Sequence, residues 1–255
     1  LTMMVVELFF LGHTSPKSGN VMQIIEADST PGKYFLWLVI STLLIAAAGN
    51  IINDYFDVKA DRINKPNRLI IGVYIKRRWA MVLHWTFNII GLFIALYVGY
   101  VLQNIWVPMI AFLSINLLWF YSAYYKRKPF IGNVIVALLL GVIPVYVMLF
   151  NFPLEKMDDG ELEYFYAVIF SISSLAFLLN LIRELVKDIQ DIRGDMRLEA
   201  KTFPIKYGIK RTKLLIGLIA VITTINLVFY FYFTMISSLV FMFFHERSMN
   251  LNLIM

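Results

Sequence analysis

The sequence has no cysteine, which excludes disulfide bonds and thiolate metal sites. Charged residues are also scarce, at 16% of the 255 residues, whereas a typical soluble domain has about 25%. No GxxxxGK[ST] phosphate loop and no HExxH pair occur, and the three histidines, His13, His84 and His245, are dispersed. The sequence therefore does not support a soluble protein, a P-loop nucleotide site or a zinc hydrolase.

Long apolar runs dominate the chain instead. Hydrophobic residues make up 60% of it, and the mean hydropathy is +0.72. A membrane-spanning helix needs about 20 apolar residues, and the runs predict spans at about 34–53, 79–102, 104–125, 130–150, 164–183 and 213–233. The runs are continuous rather than alternating, so they predict helices and not a barrel. The predicted fold is an all-α polytopic transmembrane helix bundle.

Two shorter apolar stretches flank these spans, at 3–12 and 235–244. Each is too short to cross a bilayer by itself, so we expect the bundle to be truncated at both ends. No soluble module or low-complexity linker is recognisable. We therefore expect residues 1–255 to form a single membrane-embedded domain.

Basic residues are concentrated in alternate loops. Of the 23 Lys and Arg residues, 19 lie in the segments 54–78, 126–129 and 183–213. The positive-inside rule places these three segments in the cytoplasm. The isoelectric point near 9.4 thus reflects membrane topology, and no nucleic-acid partner is needed to explain it.

Two clusters of carboxylates follow apolar spans on this predicted cytoplasmic side. They share the spacing DxxDxxxD, in NIINDYFDVKAD at 50–61 and in RELVKDIQDIRGD at 183–195. The six aspartates are Asp54, Asp57, Asp61, Asp188, Asp191 and Asp195. Residues at i, i+3 and i+7 share one helical face, provided that each transmembrane helix continues through its motif. The chain thus contains two pseudo-repeats, centred on 50–61 and 184–195.

Two acid faces that meet in one bundle repel each other unless a cation lies between them. Oxygen ligands of this kind suit Mg²⁺, which takes one or two carboxylates, water and substrate phosphate oxygens. We predict that all six aspartates serve a Mg²⁺ site and that Asp54, Asp57, Asp188 and Asp191 are catalytic. A metal-bound diphosphate beside an apolar membrane interior favours a substrate with a hydrocarbon tail, such as an allylic diphosphate.

A membrane transporter is the alternative from another class, because transporters also combine internal repeats with intramembrane charge. Transporter sites lie near the bilayer midplane, between helices that are broken there. Here the acids lie at the ends of spans, and the two repeats have no Gly or Pro breaks at matching positions. The pattern therefore favours an enzyme.

The segment NDYFDVKAD (53–61) resembles the NDxxDxxxD signature of the UbiA superfamily of intramembrane prenyltransferases. VKDIQDIRGD (186–195), followed by KTFPIKYG (201–208), resembles the second aspartate motif of that superfamily and its trailing segment. The resemblance extends from about residue 34 to residue 233. It implies a bundle of about nine transmembrane helices, dependence on Mg²⁺ and a polyprenyl diphosphate donor.

Within the superfamily, both motifs are most similar to those of enzymes that build ether lipids. This implies transfer of a geranylgeranyl group to the lipid acceptor geranylgeranylglyceryl phosphate. We expect an integral protein of a prokaryotic cytoplasmic membrane, and the positive-inside rule predicts that the active site faces the cytoplasm. No obligate protein partner is evident from the sequence. The alternative within the superfamily is prenylation of an aromatic quinone precursor, such as 4-hydroxybenzoate or a dihydroxynaphthoate.

Five further residues complete the expected site. Asn50 and Asn53 are expected to orient the diphosphate or a carboxylate through amide hydrogen bonds. Arg68, Lys126 and Lys187 are expected to contact diphosphate oxygens. The superfamily also has a Tyr/Lys pair, whose counterpart lies in YSAYYKRK (121–128). The residues themselves leave the choice open between Tyr121 and Tyr124 and between Lys126 and Lys128.

Polar residues inside the predicted spans are expected to bond one helix to another rather than to face the cavity. They are His84, Asn88 and Asn133. Gly194 is expected to permit a turn that frees Asp195 from the helix.

Overall fold

A computed structural model describes residues 30–64, 66–151 and 159–252. These ranges contain seven α-helices: α1 Thr30–Asn64, α2 Arg77–Val101, α3 Trp106–Phe120, α4 Ile131–Asn151, α5 Asp159–Arg197, α6 Phe203–Tyr207 and α7 Ile209–Asn252. A short 3-10 helix follows α1, and a π-helical turn follows α3. Six helices in the described ranges are long and apolar enough to cross a membrane. The predicted all-α membrane fold is thereby confirmed.

The helices that carry the acid motifs extend well beyond their apolar runs. α1 has 35 residues and α5 has 39, whereas about 20 residues cross the hydrocarbon core. No Gly or Pro lies between Asn50 and Pro66, so α1 continues without a break through its acid motif. A proline disfavours helical backbone in the residue before it, which explains why α1 ends close to Pro66. Both DxxDxxxD motifs are therefore helical throughout, as their spacing required.

The C-terminal apolar stretch belongs to a longer helix than expected. Residues 235–244 continue the span 213–233 within α7 (Ile209–Asn252). No Gly or Pro occurs between Gly217 and Asn252, which explains why the helix does not break. The apolar piece 3–12 lies outside the described residues. The single domain of residues 1–255, with its two pseudo-repeats, stays a prediction.

Packing in the described part of the chain is organised around two long helix pairs. α2 packs along α1, and α5 packs along α4, while α1 and α5 contact each other directly. The largest buried cluster joins α1 to α4 through side chains such as Leu38, Val98, Val107 and Val147. Large apolar side chains on α2 and α7 remain exposed, as expected for surfaces that face lipid.

Hydrogen bonds between spans join α1 to α2. His84 Nδ1 lies 2.9 Å from the Ala48 carbonyl oxygen, and Ser41 Oγ donates to the Gly91 carbonyl at 2.7 Å. A carbonyl only accepts, so Nδ1 of His84 carries the proton and Nε2 accepts from Asn88 Nδ2 at 3.1 Å. The prediction of a bond between helices is confirmed for His84. It is wrong for Asn88, which contacts His84 on its own helix because the two residues are four apart.

Candidate active site between the two acid-bearing helices

A cavity of about 190 Å³ lies where α1 meets α5. Its lining residues are Asn53, Asp54, Asp57, Asp61, Leu69, Ile70, Ile71, Lys187 and Asp191. Carboxylates from both predicted motifs therefore meet in one cavity, although the motifs lie 134 residues apart in the chain. The structure thus brings together six predicted site residues. They are the four aspartates of the lining, the amide of Asn53 and the ammonium group of Lys187.

One wall of the cavity is apolar and comes from the loop after α1. Leu69, Ile70 and Ile71 line the cavity, and a β-bridge between Ile71 and Ile75 closes the loop behind them. Gly72 supports this reversal with a φ of 90°, a conformation that is strained for residues with a Cβ. Ile71 is buried in a small cluster with Val58 of α1. Sequence reasoning did not identify this wall, because its residues carry no polar signature.

Lys126 contacts two residues that line the cavity. Its Nζ donates to Asn53 Oδ1 at 2.7 Å and forms an ion pair with Asp57. The π-helical turn Tyr121–Tyr125 determines where Lys126 lies, since the Lys126 N–H donates to the Tyr121 carbonyl five residues back, at 2.9 Å. Such π-turns are frequent at functional sites. Lys126 therefore bridges two residues of the α1 acid face.

The candidate tyrosines and lysines within YSAYYKRK differ in their exposure to solvent. Tyr121 is 7% exposed, whereas Tyr124 is 63% exposed. Lys128 is exposed and lies over the ring of Tyr125, with Nζ 5.1 Å from the ring centroid. The pair that faces the interior of the bundle is thus Tyr121 with Lys126.

Asp188 and Asp195 are not among the residues that line the cavity. Asp188 Oδ2 accepts a hydrogen bond from Asn133 Nδ2 at 2.9 Å, which directs this carboxylate toward α4. The prediction that Asn133 bonds one helix to another is thereby confirmed. On α5 it is Asp191, one turn after Asp188, that faces the aspartates of α1.

Two residues that were expected to contact the diphosphate, Asn50 and Arg68, are not found among the described residues of the cavity lining. Asn50 is exposed and does not line the cavity; it lies almost one helical turn before Asn53, where the lining begins. Arg68 ends the 3-10 helix Pro66–Arg68, and its side chain lies outside the described residues.

The turn expected at Gly194 is wrong. Gly194 lies within α5, which continues to Arg197. A Cβ at Gly194 would come within 2.5 Å of Asn64 Nδ2, so the Asn64 amide occupies space that only glycine leaves open at this position. Asn64 accepts a hydrogen bond from the Gly194 N–H at 2.9 Å. Sequence reasoning missed Asn64, whose signal is an amide three residues after Asp61 on the same helical face.

The donor set of the cavity fits a magnesium ion that is shared with a diphosphate. Across the described residues, no three His, Asp or Glu side chains are grouped closely enough to hold a metal by themselves. Mg²⁺ typically takes only one or two carboxylates and completes its shell with water and phosphate oxygens. Four aspartates and one amide around a single cavity provide ligands of that kind.

Comparison with known proteins finds one family and relatives that share a name. The model of the UbiA prenyltransferase family matches residues 20–248. Digeranylgeranylglyceryl phosphate synthase of Thermococcus kodakarensis is 33% identical over 208 residues, which cover 81% of this chain and 69% of the relative. The Pyrococcus abyssi synthase of the same name is 35% identical over 209 residues, with coverage of 82% and 69%.

Two solved structures share the bundle. A digeranylgeranylglyceryl phosphate synthase structure superimposes with a TM-score of 0.58 at 25% identity and covers 88% of this chain and 70% of that one. A UbiA homologue from Archaeoglobus fulgidus, bound to DMAPP and Mg²⁺, superimposes with a TM-score of 0.60 at 15% identity, with coverage of 95% and 80%. The second likeness is one of fold alone.

Proposed function

The chain belongs to the UbiA prenyltransferase family, and on that basis we propose that it transfers a geranylgeranyl group to geranylgeranylglyceryl phosphate. The prediction of a prenyltransferase is confirmed by this membership, and the transporter alternative is set aside. The observation that carries the proposal is the cavity in which the acid motifs of α1 and α5 meet beside an apolar wall. The choice of acceptor is supported by the synthases at 33% and 35% identity.

The reaction requires that the bond between C1 of the prenyl chain and the diphosphate oxygen breaks. A bond from the acceptor hydroxyl oxygen to C1 then forms, and the hydroxyl proton is released. Negative charge develops on the departing diphosphate, so cationic and hydrogen-bonding groups around it lower the barrier. Lys187 lines the cavity, and Lys126 contacts the lining residues Asn53 and Asp57. We assign both to the diphosphate oxygens.

Asn53 complements these two lysines. Its Oδ1 accepts from Lys126 Nζ at 2.7 Å, which orients the amide so that Nδ2 can donate to a diphosphate oxygen. We therefore assign to Asn53 alone the role that was expected of both Asn50 and Asn53. Arg68 stays a predicted diphosphate contact.

Mg²⁺, when bound, neutralises diphosphate charge as the leaving group departs. We propose that Asp54, Asp57, Asp61 and Asp191 hold it, because their carboxylates line the cavity. Asp188 and Asp195 flank Asp191 by three and four residues on α5. Neither lines the cavity, so we assign them to the same site as acceptors for metal-bound water and not as direct ligands. Mg²⁺ binding is on record in the family for the Archaeoglobus homologue.

The proposed acceptor is tested by a product assay. Purified protein in lipid nanodiscs receives radiolabelled geranylgeranyl diphosphate, Mg²⁺ and one acceptor at a time. We expect the ether product with geranylgeranylglyceryl phosphate, and turnover at least about 100-fold slower with 4-hydroxybenzoate or a dihydroxynaphthoate, because the site must place the acceptor hydroxyl at C1. Prenylated aromatic product without ether product would assign the chain to the quinone branch.

We further propose that the acid cavity faces the cytoplasm of a prokaryotic cell and that the protein lies in its cytoplasmic membrane. The support is the concentration of 19 of the 23 Lys and Arg residues in three alternate loops. Single cysteines at Lys59, Lys128 and Arg197 should react with a membrane-impermeant maleimide only from the cytoplasmic side. A cysteine at Asp158 should react only from outside. Labelling of Lys59→Cys and Arg197→Cys from opposite sides would contradict a shared site.

A further inference from the structure

One side chain joins the two acid-bearing helices beside the cavity. Asn64, the last residue of α1, donates from Nδ2 to the Asp191 carbonyl oxygen at 3.0 Å. Its Oδ1 accepts from the Gly194 backbone N–H at 2.9 Å. Asn64 follows the cavity residue Asp61 by three positions and so shares its helical face. The amide thus contacts the backbone of the helical turn that carries the cavity residue Asp191.

The fit between Asn64 and α5 leaves no spare room. The three atoms nearest to a Cβ placed on Gly194 all belong to the Asn64 side chain, and the closest is 2.5 Å away. A larger residue at position 194 would therefore displace Asn64. The two hydrogen bonds of the Asn64 amide connect α1 to α5 at this level, and Gly194 provides the space in which that amide lies.

Electrostatic repulsion across the cavity favours a larger separation of the two helices. Three aspartates of α1 face Asp191 of α5 across it, and carboxylates brought together repel each other. Asn64 joins the two helices without adding charge, since one neutral amide both donates and accepts. An aspartate in its place would keep the acceptor, lose the donor and add to the repulsion.

We propose that Asn64 is a positioning residue, which sets the spacing of the two acid motifs before the diphosphate binds. It acts through Asp191 and Gly194 and not through contact with substrate. Two hydrogen bonds of ordinary net strength correspond to about a 30-fold change in an equilibrium constant. Asn64→Ala should therefore raise the KM for the prenyl diphosphate about 30-fold. It should change kcat at saturation by less than about 3-fold, because bound substrate draws the helices together again.

The spacing can be measured directly. The chain has no cysteine, so nitroxide labels attach only at Lys59→Cys on α1 and Arg197→Cys on α5, both exposed positions. In metal-free protein without substrate, Asn64→Ala should lengthen and broaden the distance distribution between the labels. Asn180→Ala is the matched control, since this amide bonds to Ala176 of its own helix at 2.8 Å. It should leave the distance and the KM unchanged.

Gly194→Ala provides a second variant that keeps Asn64 but displaces it. It should reproduce the longer distance and the raised KM. In the Asn64→Ala background it should add less than about 2-fold to KM, since the two changes remove the same contact. Wild-type distances in both single variants would overturn the proposal, as would a loss confined to kcat.

The KM measurement rests on the proposed function, whereas the distance measurement does not. Changed distances in a protein that transfers no prenyl group would therefore leave the role of Asn64 intact and overturn the proposed function alone.

Discussion

Replacing Asp57 or Asp191 with alanine should lower turnover by about three orders of magnitude, on the scale of losing a principal electrostatic group of an active site. The two residues come from different helices but line one cavity. If both act on the same diphosphate, the loss of either one already prevents efficient cleavage of the bond between C1 and the diphosphate oxygen. The double variant should then be about as slow as the slower single variant, because groups that act as a unit are strongly non-additive.

Both variants should still fold. Asp57 and Asp191 are only partly buried, so their removal opens no void in the core and relieves repulsion among the carboxylates. Loss of Asp57 also removes the ion pair with Lys126, whose Nζ keeps Asn53 Oδ1 as an acceptor. Single-turnover assays with radiolabelled geranylgeranyl diphosphate measure the effect on the reaction, and thermal unfolding in nanodiscs measures the effect on stability. Glu163→Ala, at an exposed carboxylate of α5, is the control and should retain full turnover. Losses that add in free energy would indicate two independent acid clusters.

The acid face of α1 was predictable because it depends on local features. Spacing at i, i+3 and i+7 specifies one face once the helix is continuous, and α1 contains no Gly or Pro from Asn50 onward. Asp54, Asp57 and Asp61 consequently line the cavity together. The same reasoning gave the span positions, since apolar run length is also a local property.

The face of α5 was only partly predictable. Spacing groups Asp188, Asp191 and Asp195 on one broad face, but contacts distant in sequence decide which of them points at α1. Asn133, 55 positions earlier in the chain, holds Asp188 toward α4. Asn64, 127 positions before Asp191, fixes the turn that follows it. Neither partner is visible in the spacing of the aspartates, and the same contact explains why Gly194 lies inside a helix and not in a turn.

The placement of Lys126 depends on a backbone irregularity. A π-turn at Tyr121–Tyr125 shifts the register of the residues after it by one position relative to an α-helix. Helix propensity does not specify such a turn, so the sequence could not decide between Tyr121 and Tyr124 or between Lys126 and Lys128. The structure directs Tyr121 and Lys126 inward.

Diphosphate binding should depend on Mg²⁺ because the cavity is strongly acidic. Four carboxylates line it, and they outnumber the two ammonium groups, that of Lys187 in the lining and that of Lys126, which forms an ion pair with Asp57. A diphosphate is itself an anion and would be repelled without divalent cations. We therefore expect chelation of Mg²⁺ to weaken binding of a prenyl diphosphate by at least about 100-fold, the effect of a few kcal/mol of unscreened repulsion.

The most direct test of a single site built by both helices is equilibrium binding of geranylgeranyl thiolodiphosphate, an analogue whose bond from C1 to the leaving group resists cleavage. Its binding to protein in nanodiscs is measured by calorimetry. Binding should be tight in Mg²⁺ and lost with chelator, and it should be weakened to a similar extent in Asp57→Ala and in Asp191→Ala. Binding that is independent of Mg²⁺, or that is lost in one variant and intact in the other, would contradict a shared site.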